Sequence, residues 1–350
     1  MDQNLKWETT TESDIAVEFS TIHGKLTGDI EGYTKIVKDA LINVLIPSTL
    51  GSYNPSGSGG YVLTNAASIQ NKGVEVSLNW HDQINSHLSY FVGANITFNQ
   101  NTVVGLNGGQ PYIDGPIGAD QPDVTRTDNG HPIGSFYVQK VVGVFQSQAD
   151  IDNYKDKNGN ILEPGTEPGD FKYQYDANGH LDSVFAGSYQ PKEYFGVNMG
   201  MNYKNFDLSI VLIGSLGGKI YNGKKAFRQS LLDNVESSTA DNYWTNSNHS
   251  NSEPRANGGD LPASTYFVES GNYVRINNVN IGYTIPAAAI EKTKVISSLR
   301  IYISAQNPLT LKAYSGFTPE IQSSSPTSAG IELNAYPSVK TYSIGVNVGF

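Results

Sequence analysis

The chain has 350 residues and a net charge of −10, a balance that argues against a nucleic-acid partner. Only 16% of residues are charged, Gly reaches 36 and Tyr 21, and Cys is zero, which excludes disulfides and thiol chemistry. Mean hydropathy is −0.34 and no apolar window is long enough for a membrane helix, but strands that are only half apolar escape such an average.

The amino end, Met1 to Glu8, lacks the apolar core of a signal peptide. Beyond it, helical periodicity is nearly absent and period-two segments recur. The first has Ile15, Val17 and Phe19 apolar, and the second runs from Leu26 through Ile30 towards Ile36. The third alternates Val74, Val76, Leu78 and Trp80 with Glu75, Ser77 and Asn79. The fourth carries Leu88, Tyr90, Val92, Ala94, Ile96 and Phe98 on one face. A fifth (Phe195 to Tyr203) and a sixth (from Phe206) share the short turn Lys204-Asn205. In the seventh, Val274 and Ile276 are out of phase with Val279 and Ile281, which predicts a β-bulge near Asn277 or Asn278. The eighth is Leu299, Ile301, Ile303 and Ala305; the ninth runs from Thr341 to a terminal Phe350, with every even position large and apolar.

The opposite faces are Gly, Asn, Ser and Thr, small neutral residues that suit a curved sheet around a wet lumen. Connections alternate in length. Thr21–Lys25, His81–His87 and Lys204–Asn205 are short, and Ala287–Ile296 is somewhat longer. The segments 41–70, 104–190, 222–271 and 312–340 are long and rich in Gly, Ser, Asn and Pro. This predicts an all-β fold: an antiparallel transmembrane β-barrel portion of about nine spanning strands, with long extracellular loops and short periplasmic turns. Parity requires that Ser135–Gln148 does not cross and lies as a hairpin arm in the external loop. Trp80, Tyr203, Phe206, Tyr283 and Phe350 then collect at the inner ends, as an aromatic girdle.

Several blocks resemble the carboxy-terminal part of TonB-dependent outer-membrane receptors of the SusC/RagA type. They are Asn4-Leu5-Lys6-Trp7-Glu8-Thr9-Thr10, Asn71-Lys72-Gly73-Val74-Glu75 and Pro132-Ile133-Gly134-Ser135-Phe136-Tyr137. Pro168-Gly169-Asp170-Phe171, Tyr203-Lys204-Asn205-Phe206-Asp207-Leu208 and Trp244-Thr245 with Pro254-Arg255 follow in order. Tyr273-Val274-Arg275-Ile276, Gln306-Asn307-Pro308-Leu309 and Tyr314-Ser315-Gly316-Phe317-Thr318-Pro319-Glu320 complete the set. The resemblance implies that residues 1–350 are the last part of a barrel of roughly 22 strands, without the plug domain and first strands. It further implies import of large nutrients, glycans or peptides, across the outer membrane of a Gram-negative bacterium. A SusD-like surface lipoprotein would be the partner, outer-membrane lipid the surroundings, and the TonB system the energy source through the plug. An all-β surface adhesin or structural outer-membrane protein without transport is the alternative.

No catalytic constellation stands out, so no enzyme is expected. His81 and His87 lack acidic or Cys co-ligands for a metal, and Gly57-Ser58-Gly59-Gly60 lacks the Lys of a phosphate cradle. One segment has the look of a calcium loop: Asp176, Asn178 and Asp182 place oxygen ligands around a Gly turn. His180 stands where an acid is usual, Asp156-Lys157-Asn158-Gly159-Asn160 is a poorer version, and the alternative for both is an Asx turn. No other cofactor is implied. Loop aromatics Tyr53, Tyr61, Tyr112, Tyr221, Tyr243 and Trp244 suit sugar stacking, a partner surface, or packing between loops.

Overall fold

The computed structural model describes residues 5–45, 60–107, 111–115, 124–229, 234–256, 261–291, 294–321 and 325–350. Four long strands come first: β1 (Thr9–Thr21), β2 (Leu26–Leu45), β3 (Tyr61–Asn85) and β4 (Leu88–Leu106). Six short ones follow: β5 (Ile113–Asp114), β6 (Thr125–Thr127), β7 (Ser135–Gln139), β8 (Val141–Val144), β9 (Phe171–Tyr173) and β10 (Ser183–Gly187). The chain continues with β11 (Glu193–Tyr203), β12 (Phe206–Leu216), β13 (Lys219–Asn222) and β14 (Val268–Ser270). It ends with β15 (Tyr273–Thr284), β16 (Ser298–Lys312), β17 (Ile331–Glu332) and β18 (Thr341–Gly349).

Nine strands form one sheet in the order β1-β2-β3-β4-β11-β12-β15-β16-β18, each pair antiparallel. The register joins the apolar positions of separate strands into continuous rows. Tyr90, Met201, Leu208, Ile281, Ile303 and Ile344 lie side by side across six strands. On the opposite face Ser209, Asn280, Ser304 and Ser343 form the next row. The apolar face is uncovered: Ile303 is 58% exposed and Ile344 77%. The pairing also slants. A line from Leu26, the first residue of β2, passes Trp80, Val92, Met199, Ile210, Val279 and Ala305 to Tyr342, the second residue of β18. Such stagger is what tilted barrel strands require.

The bulge falls where the phase break places it. Leu212 pairs with Ile276 and Val211 with Asn278, so Asn277 is an extra residue against β12; on its other side it faces two residues, Asn307-Pro308, so β16 bulges there as well. Asn307 takes φ +51° there, and Pro308 has no N–H for the ladder to lose. At the inner rim Phe206 and Tyr283 pack with centroids 4.7 Å apart, and the Trp80 indole N–H donates to the Tyr90 hydroxyl at 3.0 Å.

Several boundaries differ from the sequence reading. The connection His81–His87 is shorter than expected, because β3 stays paired with β4 out to Asn85. The segment 41–70 is not wholly a loop: β2 and β3 stay paired out to Leu45 and Tyr61. Towards their outer ends these strands pack against loops, and the neighbours Ala66 and Ala67 are both buried although Leu63 stays exposed. Ala40, Ile42, Ala66, Ala67, Val103, Ile113 and Ile133 form a buried cluster, so period two fades. Asp39, at φ +55°, marks the bulge where the change begins. The sixth segment also ends early. Gly217, at φ +83°, breaks it after Leu216, and β13 pairs instead with β14 and β17.

Ser135–Gln148 does not join the large sheet. β7 sits between β6 and β10, and β8 pairs β9. These strands and the remaining loops make a folded layer at the outer end. Two further buried clusters lie in it, one on Val124, Phe136, Val138, Tyr221 and Phe267, the other on Val144, Phe171 and Trp244. Among the described residues the packed core therefore lies in the loops and against the outer ends of β2, β3 and β4, while the rest of the sheet is one layer thick.

Two glycines test the two faces. A Cβ at Gly73 would lie 2.1 Å from the Phe98 carbonyl oxygen and 2.7 Å from the Tyr33 hydroxyl, whereas one at Gly32, on the apolar face, meets nothing within 4 Å. Gly73→Ala is expected to cost about 1–3 kcal/mol by overpacking. Gly32→Ala should be neutral or slightly stabilising, because it only narrows the unfolded ensemble. Denaturant unfolding in lipid vesicles measures both.

Candidate functional site

The polar face of the sheet is built around glycines that make room for larger groups. Arg300 on β16 reaches across β15 to Asp207 on β12, with Nε–Oδ1 2.9 Å and Nη2–Oδ2 2.5 Å, and Nη2 also donates to Asn280 Oδ1 at 2.7 Å. Gly282 sits under this pair: a Cβ there would lie 2.3–2.4 Å from Arg300 and Asp207 atoms. Gly345 does the same for the Tyr302 ring and Gly200 for Phe91. Higher up, the Tyr33 hydroxyl donates to Asn99 Oδ1 at 2.9 Å across Gly73.

At the outer end, sequence blocks far apart in the chain meet. Gly169, at φ +97°, lies against Trp244 and Arg255, where a Cβ would come within 2.5 Å of the indole. Arg255 closes the junction through Nε to Asp170 Oδ1 at 2.6 Å and Nη1 to Glu167 at 2.5 Å, while its backbone N–H donates to the Gly169 carbonyl. A second junction joins the seventh strand to the last long loop. Arg275, buried at 5% exposure, donates to Thr310 Oγ1 at 3.0 Å and Glu320 Oε2 at 2.6 Å, and the Tyr273 hydroxyl donates to the same carboxylate. Glu269 likewise accepts from Ser315 N–H and Oγ and from Asn222 Nδ2. Lys6 exchanges two hydrogen bonds with Asn65, tying the first block to β3.

Between this layer and the polar face lies a cavity of about 610 Å³. Asn99 and Asn101 on β4 line its sheet side; His131, Phe185 and Gln190 line its roof, with Lys192 and Lys219 at one end. Phe185 stacks on His131 with centroids 3.6 Å apart and planes 14° off parallel, and touches Tyr137 at 4.9 Å. Asn101 is already engaged: Nδ2 donates to Asn71 Oδ1, and Oδ1 accepts the Ile133 N–H. A polar cleft roofed by loops on a rigid sheet is a ligand-binding arrangement. Sequence reading did not single out these residues, since they come from five separate segments.

The sequence-predicted calcium residues do not converge here. Asp176 Oδ1 accepts the backbone N–H groups of Asn178 and His180 at 2.7 and 2.9 Å, with Gly179 at φ +80°. Asp182 accepts from Gln174 Nε2 at 2.6 Å. The Asp156 turn is built alike, receiving Asn158 and Asn160 N–H. These bonds hold both aspartates below the usual carboxylate range, chiefly through the backbone donors of His180 and Asn160. Among the described residues no group of three His, Asp or Glu is placed to hold a metal. The geometry is that of two Asx turns. Of the loop aromatics, Tyr221 and Trp244 are buried in the layer's own clusters, and Tyr112 lies under the Arg126 guanidinium at 3.5 Å. Packing between loops accounts for these. Tyr53, Gly57–Gly59 and the Tyr61 side chain lie outside the described residues.

No protein-family model matches the chain. Over its whole length it is 29% identical to TonB-dependent receptor P3 of Formosa agariphila and 28% identical to TonB-dependent receptor SusC of Bacteroides thetaiotaomicron. It covers 35% and 32% of those proteins, so the chain spans about a third of the length of the curated relatives it matches. Among solved structures, the RagAB peptide transporter matches with a TM-score of 0.77 at 22% identity, over 99% of this chain and 36% of that one. The RagAB peptide importer in its "closed-closed" state gives 0.76 at 21%. The resemblance read from the motif blocks is thus borne out along the chain. The nine-stranded sheet is a portion of a β-barrel of the kind found in RagA.

One buried acid gives the outer layer a pH dependence. Glu163 is 8% exposed and accepts the Tyr173 N–H at 2.8 Å. Burial pushes its carboxyl up to about 7, against the partial relief from that hydrogen bond. A raised carboxyl favours the folded layer while protonated. That contribution is complete below the unfolded value and is lost as pH rises through about 7. Amide exchange at Tyr173, corrected for intrinsic rates, should therefore be faster at pH 8 than at pH 5.5. Glu163→Gln should keep the Tyr173 bond, flatten the profile and slow exchange at pH 8 by the equivalent of about 1–3 kcal/mol.

Proposed function

We propose that this chain is the carboxy-terminal portion of a TonB-dependent outer-membrane importer of a Gram-negative bacterium, forming part of the barrel wall and its outer loop layer. One observation carries the reading. Nine paired strands present an unbroken, uncovered apolar face on one side and a polar face roofed by folded loops on the other. Lipid satisfies the first face and a wet passage the second. The likeness to TonB-dependent receptors along the whole chain supports the transport class.

In this reading the plug and remaining strands complete the barrel, and the plug relays energy from the TonB system. A SusD-like lipoprotein covers the outer layer. The cargo is a large nutrient of the glycan or peptide class; RagAB, similar to this chain in fold, is a peptide transporter. An adhesin would need the same outer layer but no passage along the polar face. Transport is favoured by the cavity that opens between the two.

The facing can be measured strand by strand. Ile344→Lys and Val346→Lys place a charge on the apolar face of β18 and are expected to destabilise insertion by about 2–4 kcal/mol near the midplane. Ser343 faces Ser304 on the other side, so Ser343→Lys should be tolerated. Equal folding yields for all three variants in lipid vesicles would refute the membrane-wall reading.

A further inference from the structure

We propose that the cavity beneath the outer layer binds an acidic sugar unit, a carboxylate-bearing residue of an oligosaccharide. The inference deepens the transport reading and rests on it for the ligand's route; the binding itself follows from the groups in the cavity.

Charge comes first. The chain as a whole is strongly acidic, yet no Asp or Glu is among the described lining residues, while Lys192 and Lys219 both are. Each lysine is seated by a glycine. The Lys192 stem runs along Gly217 (φ +83°), where a Cβ would lie 3.0–3.3 Å from three of its carbons. The Lys219 stem covers Gly187 (φ +114°), with its Cγ 2.8 Å from the Cβ position. Both glycines thus hold left-handed backbone and leave space for an aliphatic stem. Among the described residues neither ammonium is in an ion pair. Three acids share a neighbouring cavity with one of the lysines: Glu320 lines one with Lys219 but is taken by Arg275 at 2.6 Å, and Asp14 and Glu193 line another with Lys192 without forming an ion pair to it. Two seated, unpaired cations in a partly enclosed space attract an anion more strongly than the same charges on open surface.

The uncharged groups then decide between ligand classes. Gln190 Oε1 is buried without a partner, while its Nε2 donates to the Tyr189 hydroxyl at 3.2 Å. A buried acceptor left open is costly and is satisfied by a donor such as a hydroxyl. The His131–Phe185 stack offers a ring surface suited to the C–H face of a pyranose. Apart from Phe185, Pro132 and Pro191, the lining is polar or glycine. Among the described lining residues Leu, Ile, Val and Met side chains are absent. Cations, an open acceptor, amides and one ring stack match an acidic sugar better than a peptide.

The test is calorimetric titration of the protein extracted from membranes in detergent, with three probes: a disaccharide ending in glucuronate, its neutral glucose counterpart, and the dipeptide Glu-Glu. The glucuronate probe should bind, with affinity falling as salt rises, and at least tenfold more tightly than the other two. Lys192→Gln with Lys219→Gln should lower its affinity tenfold or more and leave the neutral probe unaffected. Lys192→Met, which keeps the stem on Gly217, guards against misfolding of the double variant and should show a smaller loss in the same direction. Gln190→Leu should weaken both saccharides alike. Unchanged affinity in the lysine variants, tighter binding of the dipeptide or the neutral sugar, or no binding of the glucuronate probe would each overturn the proposal. Uptake assays separate it from the transport reading. Binding without uptake sinks the transport reading alone, and uptake without binding sinks this site alone.

Discussion

A strand inside lipid must hydrogen-bond both of its edges to other strands, because nothing else there can satisfy its N–H and C=O groups. The rest of the structure follows from that constraint. It fixes a period of two, since one face meets lipid and the other does not. It requires every strand's register to agree with its neighbours', because a slip of one residue would exchange the faces. The row from Tyr90 to Ile344 shows the agreement held across six strands. Even the bulge at Asn277 serves it. One extra residue on β15 against β12, and one more on β16 against β15, let Val274 and Ile276 keep the apolar face between Leu212 and the pair Leu309 and Leu311.

A sheet under this constraint has no second layer to pack on, so its polar face and its ends must be stabilised otherwise. Glycines on the polar face admit the Tyr33–Asn99 contact and the Arg300–Asp207 pair, each spanning an intervening strand. The outer ends are tied by a different device. Arg275 draws the last long loop onto the end of β15 through Glu320, and Arg255 ties two outer loops together through Asp170. Such partly buried, bidentate or shared pairs hold geometry more than they add stability.

The strands were legible because their chemistry is local. Alternation, short turns and the phase break at Asn277 are all properties of consecutive residues, and the structure places them where the pattern does. The outer layer was legible only as blocks. Gly169, Trp244 and Arg255 stand out as motif residues, but nothing in sequence says that they touch. The extension of β2 and β3 beyond the band was hidden for a physical reason. Ala66 and Ala67 are both buried, and a strand covered on both faces loses its period. The cavity was hidden because its lysines, Gln190 and aromatic stack come from different loops. Conversely, the Asp176 segment looks like a metal loop in sequence because an Asx turn and a calcium turn share the same Asp, Asn and Gly spacing. In this structure the Asp176 carboxylate accepts the backbone N–H groups of Asn178 and His180, the Asx-turn pattern.

Charge gives an independent reading of which face meets lipid. Glu12, Asp14, Glu18, Asp29, Glu31, Glu75, Asp207 and Arg300 all take the polar-face parity of their strands. Glu31 and Glu75 even stand directly opposite one another, an arrangement tolerable only where water screens it. On the apolar parity of β3 the charged residues are Lys72 and Asp82, with nine residues between them. That length suits one crossing by a tilted strand of about 9–11 residues. Lys72 lies in a polar row with Ser13, Thr34 and Gln100, and Asp82 is paired to Lys25 at 2.7 Å. The same two boundaries emerge from the apolar side chains between them, Val74 to Trp80. Hydrophobicity and charge, counted separately, therefore mark out one band of one thickness on one face.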